Sequence, residues 1–210
     1  ILLGVRPAGR LEDLLDSRCD PAHLITPVHE RLSLLPGDSG AEALYGLGPT
    51  ERARLHRRLS TVYARFDAVV VDGGSGIESI VRAATMRAQR LLVIVTPEPA
   101  SLSDAYALIK VMTAQVRELP IDIVINRALS DDEAQRAFDK VRMAADRFLR
   151  RTIDCIAVIP EDEAMRAVSR GQAPLFGPEP AGPAAIAIGR LARVILREER
   201  AARPAARAIG

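Results

Sequence analysis

AVVVDGGSG, Ala68 to Gly76, is the stretch on which the fold turns. Ala68 to Val71 are apolar without interruption, the form of a strand buried on both faces of a parallel sheet rather than half-exposed at its surface. Asp72 then ends the run, and Gly73, Gly74 and Gly76 open a tight turn that a helix near Ile77 can follow. A carboxylate at such a strand end can hold a Mg²⁺ ion through water. A glycine a few residues on lets a backbone N–H approach a phosphate with no Cβ in the way. The same residues also suit an ordinary turn in which Asp72 caps the helix, and alone they do not separate the two readings.

Further runs repeat the form: LLVIVT (Leu91 to Thr96), IDIVIN (Ile121 to Asn126) and IDCIAVIP (Ile153 to Pro160). Helical patterns lie between and around them, at 50–64, 77–88, 101–117, 131–148, 162–170 and 183–200. Unbroken apolar strands alternating with helices imply an α/β fold, a mostly parallel sheet with helices on both faces. An earlier strand is expected over Leu32 to Leu35, ending in the turn PGDSG, with a short helix near Leu11 to Asp16. Ser101 and Ser103 are expected to cap one helix, and Ser130 with Glu133 forms a capping box for the next. GQAPLFGPEPAGP, Gly171 to Pro183, is a long loop expected to wrap the surface.

The bulk numbers agree with one domain, expected over 1–200, with 201–210 as a flexible tail. In 210 residues, 48% are apolar but only 3% aromatic, with no Trp, so Val, Ile, Leu and Ala must build the core. The net charge of +2 comes from 29 basic and 27 acidic side chains, far from the basic stripe of a nucleic-acid binder. Cys19 and Cys155 are far apart in sequence and suit a reducing, cytoplasmic compartment. His23, His29 and His56 lack metal-ligand spacing. No run is long enough to span a bilayer, and ILLGVRP lacks a signal peptide's basic start. The first residue is Ile1, from which residues further upstream are expected.

In open α/β sheets ligands gather at the carboxyl ends of the strands. Those ends are Asp72 with its glycines, Thr96-Pro97-Glu98, Asn126-Arg127 and Pro160-Glu161-Asp162. Asn126 could make paired contacts to a base edge or simply form a turn. Pro160 and Glu161 could wall a base pocket or start a helix with acidic residues at its positive end. Asp104 would serve as a charge near its helix N-terminus. Nowhere does GxxxxGK[ST] occur, and Lys110 and Lys140, the only lysines, fall within helical patterns.

Taken together, ILLGVRPAGRLEDLL, LLPGDSG, FDAVVVDGGSGIES, VTPEPASLSDAYALIKVM, IVINRALS and CIAVIPEDEAMRAV resemble the MinD/ParA family of deviant-Walker ATPases. Within it they are most like the flagellar-number regulators of the FlhG/FleN group, and the segments follow family order over nearly all the chain. The resemblance implies a P-loop NTPase-like, SIMIBI-type fold whose P-loop strand and helix would precede Ile1. It implies Asp72 as the Walker B-like aspartate, contacting Mg²⁺ through water, and Gly76 as the switch glycine facing the γ-phosphate of ATP. Asn126 and Arg127, with Pro160 and Glu161, would line the adenine, and Asp104 would approach the partner subunit's signature lysine in an ATP-bound homodimer. Gly73 stands where the family usually has Thr or Ser, and the glycines make the turn freer than usual, so switch timing could differ.

The expected function is therefore an ATP-dependent dimerisation switch, an ATPase when intact, acting on flagellar number or placement through a flagellar-assembly partner. These 210 residues alone are expected to be inactive. Alternatives are a non-catalytic binding module of the same fold and a DNA-partitioning protein, for which Arg57-Arg58 and Arg150-Arg151 are the candidate basic patches. The last helix, with Ile188, Leu191, Val194 and Ile195 on one side, reads as a closing helix packed on the sheet rather than a membrane-surface helix. A cytoplasmic protein is expected, with peripheral attachment at the inner face of the cell membrane as the variant that family members with a C-terminal membrane-targeting helix suggest.

Overall fold

The computed structural model describes residues 3–37, 47–74, 76, 88–175 and 182–206, with side chains as far as Arg197. Its contacts divide the chain into two compact units, Ile1–Val70 and Val71–Gly210.

In the first unit β1 (Thr26–His29) pairs antiparallel with β2 (Leu32–Leu34). The strand expected over Leu32 to Leu35 thus exists, but as one arm of a hairpin. Turns of 3₁₀ helix cover Leu11–Leu15 and Pro21–Leu24, and α1 runs from Pro49 to Tyr63. Pro49 suits the first turn, where no N–H is needed, and Glu51 returns its carboxylate to the Gly48 N–H at 3.0 Å. The helix buries Leu55, Leu59 and Val62, and the 3₁₀ turns bury Leu14 and Leu24. Arg54 and Arg58 of α1 donate to carbonyls at the ends of those turns, Arg54 to Leu15 O at 2.9 Å and Arg58 to Leu14 O at 2.8 Å and to Cys19 O. Committed to the backbone in this way, Arg58 is withdrawn from the basic patch expected at Arg57-Arg58.

The second unit is built on a parallel sheet in the order β3 (Leu91–Val95), β4 (Ile121–Ala128), β5 (Asp154–Pro160). Helices α2 (Pro99–Gln115), α3 (Asp131–Ala144, ending in a π turn over Ala145–Leu149), α4 (Glu163–Ser169) and α5 (Gly182–Ala206) complete it. Val93 and Val95 of β3 and Ile121, Ile123 and Ile125 of β4 share a core with Ile109 and Met112 of α2 and Val141 of α3. Fully burying each such side chain contributes about 1.5–3 kcal/mol, so this face dominates the unit's stability. Val124 is equally buried but lies outside that cluster, as does Ala184 of α5, which packs along β5. Helices therefore lie on both faces. α5 packs along β5 as expected of a closing helix, but Ile188 of its expected packing side is exposed, and the helix runs on to Ala206, into the expected tail. Among the described residues no helix is long and apolar enough to cross a membrane.

Three expectations change. Asp67 to Asp72 is not a strand: Val69, Val70 and Val71 are exposed, Val70 by 92%. An apolar run becomes a buried strand only where neighbours satisfy its backbone on both edges, and among the described residues no strand pairs with it. Helix α2 starts at Pro99, not at Ser101. Ser101 Oγ instead accepts the Thr96 N–H at 3.0 Å, while Ser103 Oγ donates to Pro99 O at 3.0 Å. Arg151 donates to Arg117 O and Leu119 O, so the second expected basic patch also loses a member to the backbone. The helix expected at 77–88 and most of the turn PGDSG lie outside the described residues. Ser130 does cap α3, accepting the Glu133 N–H at 3.2 Å, and Glu133 closes the box one residue early by accepting the Leu129 N–H at 2.7 Å.

Candidate functional site

The carboxyl ends of the three parallel strands meet around a cleft of about 270 Å³. The turn after β3 supplies Thr96, Pro97 and Glu98. The end of β4 supplies Arg127 and Leu129, α3 supplies Glu133, and the start of the last turn supplies Glu161 with Arg166 of α4. This volume lies just below the range of about 300–1,000 Å³ usual for small-molecule sites.

Arg127 reaches the cleft by an irregularity in the sheet. Asn126 pairs with Ile159 and Ala128 with Pro160, which leaves Arg127 as the extra residue between them, with φ at 61°. A bulge re-aims the side chain that it carries. A non-glycine residue in the left-handed region is uncommon and costs about 1–3 kcal/mol, held only where surrounding contacts over-determine it. Those contacts are visible. Arg127 Nε donates to Glu161 Oε2 at 2.9 Å, and Nη1 lies 3.9 Å from Glu98 Oε1. Arg166 Nε donates to the other oxygen, Glu161 Oε1, at 2.6 Å. The Arg166 hydrogen bond first, and that of Arg127 second, hold the Glu161 carboxyl below the usual carboxylate range. The same pairing raises Arg166.

Backbone bonds fix the frame. The Glu161 N–H donates to Ala128 O at 2.9 Å. Asp162 is buried, caps α4 by accepting the Ala164 N–H at 2.8 Å, and accepts the Ala184 N–H of α5 at 3.0 Å.

Of the residues singled out from sequence, the structure brings Arg127 and Glu161 together across the cleft. Asn126 and Pro160 adjoin them at the strand ends, half-buried, without lining it. Asp72, Gly76 and Asp104 are not part of the lining, and all three are exposed. Asp72 Oδ1 accepts the Gly74 N–H at 2.9 Å with Gly74 at φ 67°, the tight turn that the glycines favour. No group of three or more His, Cys, Asp or Glu side chains able to hold a metal occurs among the described residues. Asp72 is a single carboxylate with one oxygen turned into its own turn, which fits a Mg²⁺ contact only through water and with phosphate oxygens completing the shell. Sequence reasoning missed Arg166 and Glu133. Nothing in a short helix marks one arginine as a cleft residue, and Glu133 had already been explained as a cap.

No protein-family model matches the chain. Over 195 residues, 93% of the chain, it is 30% identical to the antiactivator FleN of Pseudomonas aeruginosa, spanning 70% of that protein. The chain belongs to the FleN family. Members of this family are MinD/ParA-like flagellar-number regulators, which accords with the parallel sheet and its flanking helices. A second relative is the flagellum site-determining protein YlxH of Helicobacter pylori, 26% identical over 67% of the chain and 47% of YlxH. A third is an uncharacterised ATP-binding protein of Methanocaldococcus jannaschii, 25% identical over 89% of the chain and 66% of that protein. The cleft between Arg127, Glu161 and Arg166 lies at the carboxyl ends of the strands, where open α/β sheets gather their ligands.

Proposed function

We propose that this FleN-family chain acts in an ATP-dependent dimerisation switch that sets flagellar number or placement. The observation that carries the reading is the cleft at the strand ends, whose Arg127 is held in a strained backbone conformation by Glu161. Strain of this kind clusters at binding sites and switch segments. The relatives, an antiactivator, a flagellum site-determining protein and an ATP-binding protein, support ATP as the ligand and flagellar control as the process.

In this reading the adenine lies in the cleft beside Arg127 and Glu161, with Asn126 and Pro160 at its border. Asp72 would contact water on Mg²⁺, and Gly76 would face the γ-phosphate. When bound, Mg²⁺ neutralises phosphate charge. Asp104, exposed on α2, faces a second copy of the protein. No GxxxxGK[ST] phosphate loop occurs among these residues. A flagellar-assembly protein is the partner whose engagement the dimer controls, and peripheral contact with a membrane belongs to the same reading.

The test is calorimetry of Mg-ATP binding and light scattering with the full natural chain. Binding accompanied by an ATP-dependent rise to dimer mass is the expected outcome, and a monomer that takes up no ATP would sink the reading. A second reading is favoured by the exposed run from Val69 to Val71 ahead of Asp72, with which no strand among the described residues pairs: a non-catalytic module that retains the partner surface without turning over nucleotide. Measurable ATP hydrolysis by the full chain excludes it.

A further inference from the structure

We propose that Arg166 is a positioning residue of the cleft: by gripping Glu161 it holds Arg127 so that the Arg127 guanidinium, and not the Glu161 carboxylate, meets the base. This rests on the reading of the cleft as a base site.

Glu161 is clamped from two sides. Each carboxylate oxygen takes an Nε–H, Oε2 from Arg127 at 2.9 Å and Oε1 from Arg166 at 2.6 Å, and only 16% of the side chain is exposed. A carboxylate held by both oxygens is poorly placed to turn and accept from an incoming ribose or base. Arg127 is different. Its side chain is 53% exposed, it lines the cleft, and its planar guanidinium is tied at Nε, which leaves its face presented. Guanidinium planes stack on aromatic rings, and a purine offers the larger ring.

Arg166 completes the arrangement. It lies on α4, whose start is fixed by Asp162, and its Nη1 also lies 3.6 Å from Glu163. Its position is therefore set by its own helix rather than by β4. With Arg166 in place, Glu161 cannot follow Arg127 if that residue relaxes out of the left-handed region. Without it, Glu161 is free to swing, and the bulged Arg127 loses the fixed anchor that holds it.

The experiment compares ATP with CTP binding, by calorimetry on the full natural chain, for the wild type, Arg166→Met, Arg166→Lys, Arg127→Met and the Arg127→Met/Arg166→Met double variant. Stacking on an exposed cation predicts an ATP preference reduced by about fivefold in Arg166→Met, with CTP affinity nearly unchanged. Arg127→Met should lose the same preference, and the double variant should lose no more than either alone. Arg166→Lys, which keeps an ion pair to Glu161, should recover most of it. Equal weakening of ATP and CTP, or an unchanged ratio in Arg166→Met, overturns the positioning role while leaving the base site standing. A wild type that binds neither nucleotide overturns the base site and the role together. Should Arg166→Met fail to fold, Arg166→Gln takes its place and is read the same way: a reduced ATP preference there supports the proposal, and an unchanged ratio there or in Arg127→Met refutes it.

Discussion

Asp162 Oδ2 accepts the Ala184 N–H at 3.0 Å, 22 residues further along the chain, while Oδ1 accepts the Ala164 N–H at 2.8 Å. One buried carboxylate thus satisfies the free amides at the starts of α4 and α5. The residue before it, Glu161, is the one that holds Arg127. The cleft and the closing helix therefore share an anchor, and Gly182 follows from it. Its φ of 84° suits glycine, and a Cβ there would run into the Asp162 carboxylate.

Replacing Asp162 should be costly. Asp162→Ala removes caps from two helices, each worth about 0.5–2 kcal/mol, and leaves the Ala184 N–H buried without a partner. The expected loss is about 2–3 kcal/mol, read as a lower midpoint in urea unfolding. Gly182→Ala should lose about 1–3 kcal/mol from backbone strain alone. Asp162→Asn, which retains an acceptor oxygen for one helix, should fall between Asp162→Ala and the wild type.

The clamp on Glu161 makes a prediction with a definite sign. Its folded carboxyl titrates below its unfolded value, so its contribution is present above the unfolded pKa and is lost as the pH falls through the folded one. Glu161→Gln should lower stability by a constant amount from pH 7 to about pH 5. The gap to the wild type should close below about pH 4.3, the ordinary glutamate value. Unfolding midpoints measured across that range check this, and a gap that widens toward acid would contradict it. Both arginine partners are solvent-exposed, so the effect is modest.

Three of the strands were legible because unbroken Val and Ile runs have few other uses, and LLVIV, IDIVINRA and DCIAVIP became β3, β4 and β5. Val69 to Val71 carry the same signature yet stand exposed. Apolarity says that a segment should be covered, not that its cover is at hand. The cleft was half legible. Arg127 and Glu161 follow from the rule that ligands gather at strand ends, but the bulge at Arg127 depends on the register of β4 against β5, which no local pattern encodes. Arg166 could not be seen at all, because its meeting with Glu161 depends on where α4 begins and how it is aimed.

The core makes a simpler prediction. Ile109 of α2 and Ile123 of β4 are both fully buried and belong to the same cluster. Truncating either to Ala should cost about 2–5 kcal/mol, with the larger value where the surrounding side chains relax least. Because both residues share this cluster, the double variant should depart from additivity. Urea unfolding of the two single variants and the double variant measures both quantities.

Asp104 separates assembly from folding. It lies on the exposed side of α2, between the half-buried Leu102 and the buried Ala105. Asp104→Lys should leave the unfolding midpoint within about 0.5 kcal/mol of the wild type, as surface changes without special contacts do. If ATP brings two copies together across this helix, the same substitution places a cation where the partner's lysine would approach, and like charges at an interface are strongly unfavourable. The ATP-dependent dimer seen by light scattering should then vanish while ATP binding by calorimetry persists. Loss of both would assign Asp104 to the nucleotide site, and loss of neither would move the dimer contact to another face.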